Sequence, residues 1–271
     1  MKRKYDIILT GIPIGGLART TPETLSAFKA ARVVFDLSSH QTLLKRYCKR
    51  VVNLDKEYWT GDLDELVYKR IADKILEEAR NGPGVVLVVD GHPSIFQDLS
   101  WDVLHRGNRR GLRVQILPAV SCIDAMAAFC KLELNARGLQ IFEATSLLAF
   151  NGTLNPYVDA IIMQIGWFGT SLLYNTGHSK KGRFAPLVMF LTKYYPETHR
   201  VKLLRAPALK NEPAKIITTK LSLLDSFHKS ISMDMTLFLP ALESEMDTAI
   251  NEDFLQQTEE KDHLMNIANL E

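Results

Sequence analysis

Apolar and polar positions follow two rhythms along this chain. Val85-Val86-Leu87-Val88-Val89 is an unbroken aliphatic run, entered through Gly82-Pro83-Gly84 and left through Asp90-Gly91-His92-Pro93-Ser94-Ile95-Phe96. Five such residues in a row predict a strand buried on both faces. The loop after it is the first place to look for a ligand, because open α/β sheets bind ligands beyond the carboxyl ends of their strands. Asp6 to Thr10 predicts the first strand, followed by a loop over Gly11 to Gly16. Thr21-Pro22-Glu23 then predicts a helix start: a capping hydroxyl, a proline at the first position and an acid in the first turn.

Further strands are expected at Val33 to Phe35, Val51 to Leu54 and Arg113 to Leu117, with a helix over Gln41 to Arg50. Leu66, Val67, Ile71, Ile75 and Ala79 recur at helical spacing, so a long helix is expected over Asp64 to Arg80, ending at Asn81-Gly82. Leu99 to Arg110 reads as another helix, and Pro118-Ala119-Val120-Ser121 turns into an alanine-rich helix over Cys122 to Cys130. Strand-helix alternation weakens after about Arg137. Short strands at Leu139 to Ala144, Ala160 to Gln164, Val201 to Leu204, Lys215 to Thr219 and Thr236 to Leu239 surround one strong helix, Phe184 to Tyr195. The expectation is an α/β protein of two domains: an N-terminal, mostly parallel sheet over 1–118 and a C-terminal mixed-sheet α+β domain over 119–242. The acid-rich tail, 243–271, reads as a loose helix or disorder.

Composition narrows the chemistry. The 271 residues carry 33 Lys and Arg against 31 Asp and Glu, which argues against binding nucleic acid or membrane by charge. Cys48, Cys122 and Cys130 are odd in number and lack CxxC spacing, so reduced thiols in a cytoplasm are expected. Ile7-Ile8-Leu9 is too short for a signal-peptide core, and no later run is long enough to span a bilayer. The seven histidines show no metal-binding spacing, so no metal is expected. The loop at Gly11 misses GxGxxG because Pro13 stands at the second glycine position. Ser121 fits either a helix cap or a contact to an anionic ligand group, and Tyr68, on the stripe of Ile71 and Ile75, fits either a core position or a functional one.

Four stretches together resemble the tetrapyrrole methylase superfamily of S-adenosylmethionine-dependent methyltransferases. They are the strand-loop at Gly11, the Gly91-His92-Pro93-x-x-Phe96 loop, the Leu117 to Ser121 turn, and Thr236-Leu237-Phe238-Leu239-Pro240. Finer features are similar to the borosin enzymes, which methylate backbone amide nitrogens of a peptide. These are Gly-His-Pro at Gly91, Gln140 to Thr145, Met163 to Gly166, Arg205-Ala206-Pro207, and the tyrosine-bearing stretch from Tyr58 to Tyr68.

That resemblance implies a two-domain tetrapyrrole methylase-like fold with S-adenosylmethionine in the cleft between the domains and S-adenosylhomocysteine as product. Gly11, Asp90, His92, Ile95, Phe96, Ser121, Cys122, Gln164 and Ala206 would hold the cofactor, in one cavity joining His92, Ser121 and Gln164. Tyr58 and Tyr68 would be catalytic, with Arg70 lowering a tyrosine pKa. The pattern departs from the borosins at Asp64, where they have arginine, and at Asp90, where they have tyrosine. The resemblance further implies a homodimer acting on a precursor peptide supplied in trans, as in a split borosin. Alternatives from the same residues are a C-methylase of a tetrapyrrole or other small heterocycle, and a binding protein without turnover. Trp59, Trp167 and Phe168 fit either a dimer interface or a core.

Overall fold

The computed structural model of the protein describes residues 4–132, 134–174, 180–206 and 214–243. The first half is a five-stranded parallel sheet of β1 (Ile7–Ile12), β2 (Val33–Leu37), β3 (Val51–Asn53), β4 (Val85–Asp90) and β5 (Val114–Ile116). Its order, β3-β2-β4-β1-β5, sets the aliphatic run of β4 inside the sheet. Helices α1 (Pro22–Ala30), α2 (Gln41–Leu44), α3 (Asp55–Tyr58), α4 (Asp64–Arg80) and α5 (Asp98–Arg109) accompany it. Val85, Leu87 and Val89 pack with Val67, Ile71, Ile75 and Val103 of α4 and α5. Val86 and Val88 point the other way, onto Phe28 and Leu44. Because strand side chains alternate between faces, a strand covered on both sides needs every residue apolar.

The second half begins with α6 (Cys122–Cys130) and α7 (Leu134–Arg137). Then come β6 (Gln140–Glu143), α8 (Ala144–Ala149), β7 (Ala160–Met163), α9 (Ala185–Leu191), β8 (Arg200–Arg205), β9 (Lys215–Lys220) and β10 (Thr236–Leu239). The strands pair in the order β6-β7-β10-β8-β9, parallel only between β6 and β7. One face buries Ile162, Leu203 and Leu237 against Leu187, Leu191 and Tyr195. The other packs Ile161, Met163, Leu204 and Phe238 on Ala125 and Met126 of α6, with Ile14 and Phe96 from the first half joining the contact.

The architecture is thus the expected α/β pair of sheets, one parallel and one mixed. Local differences have local causes. The helix expected over Gln41 to Arg50 keeps one turn, Gln41–Leu44, and Arg46 and Tyr47 then make i−3 bonds to Leu43 and Leu44 that tighten the chain toward β3. The helix expected from Phe184 to Tyr195 is α9, Ala185–Leu191, ending in turns before Pro196. The tail from 244 onward and Pro207 lie outside the described residues.

A backbone clasp, absent from the sequence reading, ties the halves together. Gly61 N–H donates to Leu173 O at 2.8 Å, Leu173 N–H to Asp62 O at 3.1 Å and Asp64 N–H to Ser171 O at 2.8 Å. Leu173 thereby enters the core of the first half.

Candidate active site

The halves enclose a cleft of about 890 Å³ above the carboxyl ends of β2 and β4. Its walls come from four places: Tyr58, Trp59 and Tyr68 around α3 and α4; Asp90, Phe96 and Asp98 after β4; Glu143 and Thr145 after β6; and Gln164 and Trp167 after β7. This volume lies within the ~300–1,000 Å³ of small-molecule sites. Three wall residues, Ser39, Phe96 and Gln164, hold φ of 57°, 53° and 55°, a left-handed backbone that costs non-glycine residues energy and clusters at binding sites. Gln164 Nε2 donates to Phe96 O at 3.4 Å, joining the two halves across the cleft.

Aromatic rings form one wall. Trp59 stacks on Trp167 at 5.8 Å and 11°, and Tyr58 meets Trp59 edge-on at 4.6 Å. Arg183 fixes the turn that carries Trp167, donating from Nε to Phe168 O at 2.8 Å and from Nη2 to Gly166 O at 2.9 Å. Phe168 is buried in the second core beside Phe184. Tyr58 and Tyr68 lie 6.0 Å apart, ring to ring. Burial pushes both phenols above their ordinary range; their interaction with each other raises Tyr68 further and opposes the shift of Tyr58, and the nearby Asp64 and Asp98 add to both. Both are therefore protonated near neutral pH and able to donate a hydrogen bond. Arg70 does not serve them: it is half-exposed outside the cleft, pairing with Asp62 Oδ2 at 2.8 Å and Thr60 Oγ1 at 3.3 Å.

The charged part of the lining is all carboxyl among the described residues. Asp55, Asp64, Asp90, Asp98, Glu143 and Asp234 line the cleft, and no Lys, Arg or His does so among the described residues. The walls around Asp90 push its carboxyl up to about 7; His40 opposes the shift, while Asp36 and Asp55 add to it. Burial, Asp64 and Glu143 likewise raise Asp98. Glu143 caps α8, accepting from Thr145 N–H at 2.9 Å and Ser146 N–H at 2.6 Å. Asp36, fully buried next to Leu37 of the wall, has an Oδ2 without a hydrogen-bond partner.

Of the expected cofactor residues, Asp90, Phe96 and Gln164 line this cleft. Of His92, Ser121 and Gln164, expected around one cavity, only Gln164 lies on the wall of this cleft. Phe96 is the boundary, because it lines the cleft and also packs into the cluster of Cys122, Met126 and Ala206. Ser121 caps α6 in a reciprocal box, its Oγ accepting from Asp124 N–H at 3.3 Å while its N–H donates to Asp124 Oδ2 at 2.6 Å. His92 lies within the field of Asp124; its Nδ1 accepts from Ser94 N–H at 3.2 Å, and burial lowers its pKa. Burial raises the Cys122 thiol. Ile95 sits in the same loop as His92, to whose carbonyl its N–H donates at 3.2 Å. Gly11 has no room for a side chain: a Cβ on it would lie 1.7 Å from Gly91 O, so the two segments meet backbone to backbone.

Asp98, Asp55 and Glu143 were not singled out from the sequence. Asp98 stands just before the helix expected from Leu99, Asp55 just after the strand expected to Leu54, and only the fold brings them together.

A parallel sheet and a mixed sheet closing on an acid-lined cleft define a two-domain α/β enzyme class with its site between the domains. Residues 6–224 match the family model of the Tetrapyrrole (Corrin/Porphyrin) Methylases, and the chain belongs to that family. It is 27% identical, over 95% of its length, to the methyltransferase/ribosomally synthesized cyclic peptide lentinulin A precursor of Lentinula edodes. It is 28% identical, over 62% of its length, to the methyltransferase/ribosomally synthesized type III borosin cyclic peptide precursor of Anomoporia bombycina. The chain spans 62% and 20% of those relatives' own lengths. The uroporphyrin-III-C-methyltransferase structure from Thermus thermophilus shares the fold, with a TM-score of 0.60 at 17% identity over 86% of this chain and 91% of that one.

Proposed function

We propose that this protein is an S-adenosylmethionine-dependent methyltransferase that N-methylates backbone amides of a separate ribosomal precursor peptide. The observation that carries the choice of substrate is the charge of the cleft. A tetrapyrrole bearing several carboxylates needs basic groups around it, and the only charged side chains of the lining among the described residues are carboxyls. The borosin relatives support the peptide reading from a separate direction.

The residues present suit the cofactor. A sulfonium is favoured by carboxylates at short range, and Asp90 stands at the strand end where α/β sheets bind ligands. Asp90, Phe96 and Gln164 would hold it where they line the cleft. When bound, it supplies an electrophilic methyl group. The amide nitrogen is a poor nucleophile, because its lone pair is delocalised into the carbonyl. Tyr58 and Tyr68, kept protonated, donate to the amide oxygen as negative charge gathers there. The amide proton then goes to a cleft carboxylate, and Asp90, raised to about 7, is suited to take it. The stacked Trp59 and Trp167 exclude water from that wall. The protein works as a homodimer.

The test is single-turnover methylation of a cognate precursor peptide, read by mass. Tyr58→Phe and Tyr68→Phe are each expected to slow methyl transfer by about 10²-fold, typical of losing one donor to a developing oxyanion, with S-adenosylhomocysteine affinity retained. Unchanged rates in both variants would remove the tyrosines from the mechanism.

A further inference from the structure

The acids of the cleft are not a by-product of composition. The chain has a formal net charge of +2. Several acids elsewhere on the first half are paired, Asp62 with Arg70, Glu57 with Lys74, Asp73 with Arg106, and Glu78 with Arg32 and Arg50, while Glu23, Asp36 and Glu65 have no ion-pair partner among the described residues. On the cleft wall, Asp234 meets Arg205 at 3.9 Å. Asp55, Asp64, Asp90, Asp98 and Glu143 have no ion-pair partner among the described residues. A sulfonium cofactor with an amino-acid end carries a net charge of about +1, too little to balance them.

The cleft also has an extension. A second cavity of about 500 Å³ runs along α4 and α5, lined by Asp64, Glu65, Tyr68, Lys69, Asp98, Asp102 and Arg106. It shares Asp64, Tyr68 and Asp98 with the first. In this groove Arg106 is already engaged by Asp102 at 2.8 Å and by Asp73. A chain passing from groove to cleft must therefore cross the Asp64–Asp98 junction beside the catalytic tyrosine candidate Tyr68.

We infer that the substrate is a basic peptide, whose lysine or arginine side chains next to the methylated amide are received by Asp64 and Asp98 where the groove enters the cleft. This rests on the peptide reading above and specifies its substrate class. The groove supplies room for an extended chain, and the two carboxylates supply a cation site: Lys69 and Arg106 also line the groove, but neither is ion-paired with Asp64 or Asp98. An acidic segment in the same place would face like charges in a partly dry setting.

Two fluorescent nine-residue peptides test it: Gly-Val-Val-Lys-Val-Lys-Val-Val-Gly and the version with Glu at both Lys positions. Binding is read by anisotropy with the full chain and saturating S-adenosylhomocysteine. The lysine peptide is expected to bind at least about tenfold more tightly at ~50 mM salt, with the advantage shrinking at ~500 mM as charges are screened. Asp98→Asn, alone and with Asp64→Asn, is expected to reduce the preference. Equal affinities, tighter glutamate binding, no saturable binding of either peptide, or a preference indifferent to salt would overturn the inference; the salt series needs no variant to fold. Mass analysis after adding S-adenosylmethionine separates the two proposals. Methylation of both peptides at equal affinity removes the charge selection and leaves the peptide reading. Lysine-selective binding without mass gain does the reverse.

Discussion

At the scale of single residues, the cleft is a case of environment overriding identity. Asp90 in isolation titrates near 3.8, and the walls of the fold raise it to about 7. The sign for stability follows from linkage. A carboxyl whose folded pKa is raised binds its proton more tightly in the folded chain, so folding is favoured most below the unfolded pKa. That advantage is lost as pH rises from about 3.8 to about 7. Asp90→Asn, which cannot ionise, should thus melt higher than the unsubstituted protein at pH 8 and no higher at pH 4, measured by calorimetry in matched salt. A constant difference across that range would show that Asp90 does not titrate as its surroundings dictate. The tyrosines obey the same rule in reverse of the sequence expectation. A lowered pKa needed Arg70 at hand, but Arg70 is held outside by Asp62, leaving burial to raise both phenols.

At the scale of elements, most of the chain was legible. α4 and α6 run as their periodicity and caps predict, Asp64–Arg80 and Cys122–Cys130. The two readings of Ser121 meet different fates: the cap is present in full, while the side chain lies off the cleft wall. Ser121→Ala removes the acceptor for Asp124 N–H and should cost about 1 kcal/mol in denaturant unfolding, the usual loss for a helix cap. A cost near zero would mean that the Asp124 carboxylate alone holds the turn. The short elements were not legible. α3 and α8 are single turns or little more, too brief for any periodicity to register. The Leu63–Leu172 bridge and its clasp depend on backbone groups, which carry no residue signature.

At the scale of the whole molecule, exposed apolar side chains bear on assembly. Phe150, on the cleft rim, is 83% exposed, and Leu63, Leu66 and Trp101 are exposed on and around α4 and α5. Such residues are enriched where partners meet. Light scattering at micromolar concentration should return twice the 30.6 kDa of one chain. A single-chain mass would remove the homodimer. No helix of the described residues is long and apolar enough to cross a membrane, and Cys48, Cys122 and Cys130 are unbridged thiols.

What the sequence determined by itself was the class of fold and its family likeness. Buried strands must be apolar at every position and helices must repeat near 3.6, so β4, α4 and the two kinds of sheet are written in local order. What only the tertiary structure decided was the character of the site. Asp55, Asp64, Asp90, Asp98, Glu143 and Asp234 are scattered over some two-thirds of the chain, and nothing in their spacing brings them together. Charge acts through space and not along the chain, so their joint field, the displacement of Arg70 and the wall at Phe96 exist only once the two sheets have closed.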